Sequence, residues 1–312
     1  MKKVRLWLLC RLSEGALVSF RGIFRALPAD FSRLISAFFI KILISLLLPR
    51  KRIVKNLDWV FGETYASATK EGLAKGIQFH FARNVQDCLF QWFYPDHARP
   101  PVRVRGIENL DAALAKGKGV IALGAHIGNF ILVGTTLGIN GYPVHTLFRI
   151  PSDKRIQALI GRHIKSFHQT IIPSLPRKEA VKRVLETLRR GEIVFILADN
   201  LKKGRVRTHF FGQPVRSPRG PVSLALRSRA SVLPIYLIRN YQGELDLVIE
   251  PEIAMTRDGN LSADIASNTR RITVCLEDLV RRYPDQWNWL TVSMGGEEAP
   301  RSTEEQPDQL VG

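Results

Sequence analysis

The chain has 312 residues, 46 Lys+Arg against 28 Asp+Glu, a formal charge of +18 and 45% hydrophobic residues. That composition excludes a disordered polymer and leaves ample length for a buried core. A surface this basic attracts anions: nucleic acid, acidic lipid head groups or an acidic carrier protein.

Residues 1–55 hold twelve Lys/Arg and two acids, Glu14 and Asp30, with apolar residues packed between the charges. Leu6–Leu9 opens one apolar segment, and Leu34–Leu48 forms a second with Lys41 at its middle, stopped by Pro49 and Arg50-Lys51-Arg52. Fifteen helical residues reach roughly 22 Å, short of the roughly 30 Å hydrocarbon core. A central lysine also disfavours insertion. No small-residue cleavage site follows the first segment, so it does not match a signal peptide. The pattern fits a pair of interfacial helices, apolar side in lipid and basic side chains at anionic head groups. A true span and a buried core helix are the alternatives. The basic flanks orient this end to the cytoplasmic side.

Residues 53–93 predict mostly helix, and 107–117 a short helix closed by a glycine. Gly119–Gly124 is an apolar run suited to a buried strand, followed by a turn at His126-Ile127-Gly128-Asn129 and a helix over 130–138. Val144–Arg149 predicts a strand, 153–167 a helix, Lys178–Arg190 an amphipathic helix and Ile193–Ala198 a strand. Asp199–Arg219 is expected as a basic loop. A helix at Pro221–Arg229, strands at Val232–Ile238 and Leu245–Ile249, and a long helix at Ala263–Tyr283 follow. Alternating helices and short apolar strands define an α/β class with a buried, mostly parallel sheet. Three regions emerge: 1–55 as membrane-anchoring helices, 56–294 as the α/β domain and 295–312 as an acidic disordered tail.

Cys10, Cys88 and Cys275 are too far apart for a disulfide framework or zinc site, and a reducing compartment is the default. His126 lies between an apolar strand and a helix start, where α/β proteins place reactive groups. Gly124 and Gly128 allow a substrate close to the backbone. Amides at the next helix start offer an oxyanion site. A turn histidine with only structural bonds is the alternative. His80, His163, His168 and His209 have no ligand-like spacing, and no metal or cofactor is called for. Asn200–Gly243 carries nine Lys/Arg and no acid. Such a run suits a phosphorylated glycolipid or an acidic carrier protein. Nucleic-acid binding finds no motif, and aromatics are not interleaved with the basic run.

Arg105–Leu132 (RGIENLDAALAKGKGVIALGAHIGNFIL) resembles the lipid A biosynthesis acyltransferase family, the late-acting lauroyl/myristoyl transferases related to glycerolipid acyltransferases. The resemblance spans about residues 1–292. It includes Arg52–Leu57, Leu147-Phe148-Arg149, Gly191–Asp199, Phe210-Phe211-Gly212 with Pro214, Leu233-Pro234-Ile235 and Pro284–Trp289. It implies a glycerolipid-acyltransferase-like core with a mostly parallel mixed sheet, attached to the cytoplasmic face of the inner membrane. It also implies transfer of a fatty acyl group from acyl carrier protein or acyl-coenzyme A to a hydroxyl of a lipid A precursor or another glycolipid. The family's motif is His, four residues, then Asp or Glu. Here the histidine is His126 and the carboxylate position is Ile131. His126 is expected as general base on the acceptor hydroxyl. Asp199, at the end of a strand in the same sheet, is the expected substitute carboxylate. A helix cap, or a partner for Arg205 or Arg207, is its alternative role. The candidate substrate-binding residues are Gly128, Asn129, Arg149, Phe211, Gly212 and Arg219. For Arg149 a solvated strand-end arginine is the alternative. A diverged, non-catalytic lipid-binding or scaffold protein is the second functional expectation.

Overall fold

The computed structural model describes residues 29–93, 101–150, 169–202 and 204–289, with positions 157, 161, 164 and 167 between them. The expected apolar segment at Leu6–Leu9, Cys10, most of the expected helix over 153–167, His163, His168 and the acidic tail lie outside the described residues.

Five strands, β1 (Val102–Arg105), β2 (Val120–Gly124), β3 (Val144–Phe148), β4 (Gln169–Pro173) and β5 (Ile193–Leu197), join β8 (Ser231–Arg239) and β9 (Leu245–Ile249) in one seven-stranded sheet. Its order is β1-β9-β8-β2-β5-β3-β4, and every neighbouring pair is parallel except β8 with β9. The sheet is thus the mostly parallel one expected. β1 and β4 were not foreseen, because neither has the continuous apolar run of a central strand.

Helices cover both faces. α4 (Ile107–Leu114) and α5 (Val133–Ile139) lie on one side, where Leu110, Ala113, Val133 and Leu137 pack with Val120, Ala122, Ile193 and Phe195. α6 (Arg177–Arg189), α7 (Gly220–Ser228) and α8 (Leu261–Arg282) lie on the other, where Val184, Leu188, Val222, Ala225 and Ile272 pack with Ile121, Leu123, Val194 and Ile196. Alternate residues of one strand therefore serve opposite cores, which is why β2 and β5 read as unbroken apolar runs.

Before the sheet come α1 (Ala29–Leu47), α2 (Arg50–Phe61) and α3 (Ser67–Phe93). The expected boundary at residue 55 falls inside α2, whose Ile53, Leu57, Val60 and Phe61 enter the main core. α1 turns Ser32, Ser36, Ile40 and Ile44 inward at four-residue spacing. Gln86 of α3 donates to Arg33 O and Ser36 Oγ. Leu34, Phe38, Phe39, Leu43, Leu46 and Leu47 of α1 are exposed. Among the described residues no single helix is long and apolar enough to cross a membrane. The pair Phe31–Leu47 and Arg50–Thr64 passes that test together, bent by 60°.

The loop expected over Asp199–Arg219 contains an antiparallel hairpin, β6 (Val206–Phe210) and β7 (Gln213–Ser217). Thr208 and Phe210 are buried while Arg207 and His209 are exposed, so the period-two pattern was hidden beneath the charge run. Phe211-Gly212 makes the two-residue turn with both φ angles positive, 52° and 75°. That is the signature of a type I′ hairpin turn.

Candidate active site

β2 and β5 are parallel neighbours, and Gly124 is level with Leu197. The chain continues one residue beyond each, through Ala125 and Ala198, and then reaches His126 and Asp199. Equal offsets from adjacent parallel strands bring imidazole and carboxylate together at the carboxyl edge of the sheet.

The contact is direct. His126 Nδ1 lies 2.8 Å from Asp199 Oδ1, and the His126 backbone N–H donates to Oδ2 at 2.8 Å. Trp287 Nε1–H also donates to Oδ2, at 2.9 Å. Asp199 is 1% exposed. Burial pushes its carboxyl up, but the hydrogen bond and charge of His126, with the Trp287 and backbone donors, outweigh it and hold the group below the usual carboxylate range. Burial pulls the His126 imidazole down, while the hydrogen bond and charge of Asp199 raise it, and the net shift is upward. A carboxylate only accepts hydrogen bonds, so Nδ1 carries the proton and Nε2 keeps a basic lone pair. Neither a helix cap nor an Arg205 or Arg207 partner describes Asp199.

Beside His126 is a small cleft of about 60 Å³. Ile77, Phe81 and Val85 of α3 line it, together with Phe130, Ile131, Trp287 and Asn288. The His126 and Phe130 rings meet edge to face at 4.9 Å. Ile131 is 50% exposed.

The loop after His126 is pinned from two sides. Gly128 N–H donates to Gln286 O at 2.9 Å and Asn129 N–H to Leu237 O at 2.7 Å, while Asn288 N–H donates to His126 O at 2.9 Å. These two turn amides are therefore already committed. Gly128 has φ +52°, and a Cβ there would lie 2.0 Å from Leu237 O. Its glycine is required by the neighbouring strand rather than by space for a substrate. At Gly124 a Cβ would strike the Phe195 ring at 2.5 Å, so that glycine likewise serves packing. Asn129 lines the cleft but is 1% exposed, and its side chain donates to Asn84 O and Asp87 Oδ2.

The other candidates are more dispersed. Arg149 is exposed one residue beyond β3, on the same edge of the sheet and two strands from β2. Phe211 and Gly212 form the hairpin turn and are not among the residues lining the cleft. The Phe211 ring is buried against Phe61 and Trp289, with Arg281 over its face at 4.4 Å. Phe210 touches Trp287. Phe210 thus buttresses the tryptophan that holds Asp199. Arg219 lines a separate groove with Arg205, Arg207 and Arg270. His80 pairs with Asp285 at 3.2 Å and His209 is exposed. Among the described residues no group of three or more His, Cys, Asp or Glu could hold a metal ion.

Sequence reasoning assigned no role to Trp287, Gln286, Asn84 or the α3 wall of the cleft. The block Pro284–Trp289 stood out in the resemblance, and the clustered aromatics of 79–93 hinted at the wall. Nothing in the linear order joined either to His126.

Fold and site together define an α/β protein with a histidine–carboxylate pair at the carboxyl edge of a parallel sheet, opening on an apolar cleft. Over residues 9–292 the chain matches the bacterial lipid A biosynthesis acyltransferase family, and it belongs to that family. The phosphatidylinositol mannoside acyltransferase of Mycobacterium tuberculosis H37Rv is 28% identical over 193 residues, 60% of this chain and 58% of that protein. Its counterpart in Mycolicibacterium smegmatis is 24% identical over 244 residues, 77% of this chain and 78% of the relative. The lipid A biosynthesis palmitoleoyltransferase of Escherichia coli K12 is 24% identical over 243 residues, 76% of this chain and 75% of the relative. The match thus spans less than two thirds of the Mycobacterium tuberculosis protein's length.

Proposed function

We propose that the protein transfers a fatty acyl group from an acyl thioester, carried on acyl carrier protein or coenzyme A, to a hydroxyl of a lipid A precursor or another glycolipid. The observation that carries this is the His126–Asp199 pair at the mouth of an apolar cleft. His126 Nε2 takes the proton of the acceptor hydroxyl as its oxygen attacks the thioester carbonyl. The tetrahedral intermediate collapses to an ester, and the leaving thiolate takes the proton back from the imidazolium. Asp199 keeps Nδ1–H oriented and stabilises the imidazolium. Ile77, Phe81, Val85, Phe130 and Ile131 suit a hydrocarbon chain.

The family and its relatives' names support an acyl transfer and a glycolipid acceptor. The groove of Arg205, Arg207, Arg219 and Arg270, with no carboxylate among its lining residues, supports an anionic partner such as an acidic carrier protein or a phosphorylated substrate. The exposed apolar residues of α1 and the basic Arg50-Lys51-Arg52 support attachment to the cytoplasmic face of the inner membrane.

The test is mass spectrometry of total lipids from three strains: one lacking the protein, one complemented with it and one complemented with His126→Ala at matched expression. A lipid heavier by one acyl chain should appear only with the unaltered protein, and its mass names acceptor and chain length. Equal profiles in all three would favour the non-catalytic lipid-binding alternative.

A further inference from the structure

We propose that the buried Asp87–Arg239 pair is a positioning element of the active site, setting the loop 126–129 so that His126 meets Asp199. The inference deepens the acyl-transfer function above and rests on it only for the kinetic part of its test. Asp87 on α3 and Arg239 at the end of β8 are 152 residues apart, and neither lines the cleft. Their side chains are 12% and 5% exposed.

Three features tie the pair to the loop. Asp87 Oδ2 accepts from Arg239 Nη2 and from the Asn129 amide at 3.3 Å. Asn84, one turn earlier on α3, donates to Gly128 O at 2.8 Å. The backbone of Arg239 is held by the Gln286 side chain, which accepts from the Arg239 main-chain N–H at 2.9 Å and donates to its carbonyl at 2.8 Å. The Gln286 carbonyl accepts from Gly128 N–H, and the next residue is the Trp287 that donates to Asp199. Arg239 also donates to Gly243 O at 2.7 Å, which fixes the guanidinium against the following turn. The ion pair therefore ties Asp87, which holds Asn129 of the loop, to the end of β8, whose backbone at Arg239 in turn holds the Gln286 side chain of the 283–289 segment. Nothing in this arrangement touches the reacting atoms. Its effect is on the aim of the imidazole, and a displacement of about 1 Å at such a site costs about 10²-fold in rate.

The experiment compares full-length wild type, Asp87→Asn and Arg239→Lys by thermal melting, steady-state kinetics and NMR titration of histidines carrying 13C at Cε1, with His126→Ala identifying the His126 resonance. In the folded variants kcat should fall about 10²-fold for Asp87→Asn and about tenfold for Arg239→Lys, with KM for the acyl donor within about twofold. The His126 midpoint should move down in both, because the imidazole has lost its fixed contact with Asp199. A folded variant whose His126 titrates as in wild type, at unchanged kcat, overturns the proposal and leaves the pair a structural one. If Asp87→Asn does not fold, Arg239→Lys decides alone, since it keeps the cation. If wild type transfers no acyl group to any acceptor offered, the functional assignment fails while the NMR titration still decides the positioning role.

Discussion

Asp199 grips His126 twice, one carboxylate oxygen on the ring Nδ1 and the other on the backbone N–H, both at 2.8 Å. This two-point grip fixes ring orientation and chain position together. It orients the imidazole without a carboxylate at position 131.

Asp199→Asn should lower kcat/KM on the order of 10⁴-fold, as loss of the acid does in a comparable triad. The base acts when neutral, so activity in wild type should rise with pH through a midpoint above the imidazole's ordinary 6.5. In the variant the raising influence of Asp199 is gone while burial still pulls the imidazole down. The acidic limb should therefore move to lower pH. A pH–rate profile measured on both proteins checks the direction, and an unmoved limb would count against His126 as the base.

Ile131→Glu should not rescue or raise the rate. Nδ1 already has its carboxylate, and the new charge would sit in an otherwise apolar part of the cleft. We expect KM for the acyl donor to rise and kcat to change less than about threefold, since no interaction unique to the transition state is added. A rate increase of tenfold or more would show that Asp199 does not supply what the motif's own carboxylate supplies.

Trp287→Phe removes one donor from the buried carboxylate and keeps most of the aromatic volume. A hydrogen bond to a charged group contributes about 1.5–3 kcal/mol, and stability should fall by that order. The rate should fall roughly tenfold, because Asp199 then keeps only its bonds to His126. Melting temperature and initial rates on the same preparation separate the two effects.

Gly128→Ala should destabilise by at least about 2 kcal/mol, because the backbone has φ +52° and the added Cβ meets Leu237 O at 2.0 Å. Denaturant unfolding measures this. A neutral outcome would contradict the placement of the loop against β8.

Replacing Phe38 and Leu43 of α1 by Asp should release the protein from vesicles containing anionic lipid. Both side chains are exposed, at 63% and 51%, so the melting temperature should hold. Vesicle co-sedimentation gives the comparison.

His126 was legible from the residues themselves: an apolar run, a small residue, a histidine and a glycine-bearing turn. Asp199 was legible because a second apolar run ends in an acid. Their contact needed the strand order, since only adjacency of β2 and β5 in parallel register turns two equal offsets into one dyad. Phe211-Gly212 shows the opposite case. The residues stood out in the resemblance as a substrate-binding block, and their positive φ angles make them a hairpin turn whose Phe211 ring packs on Phe61 and Trp289.

What the amino-acid order determined by itself was the class of fold and the candidate histidine at a strand end, because hydrophobic runs and turn chemistry act over a few residues. What only the tertiary structure decided was the company His126 keeps. Asp199, Trp287, Gln286, Asp87 and Arg239 stand 39 to 161 positions from it in the chain. Burial makes each of those polar groups find a partner, but no local pattern in the chain records which one.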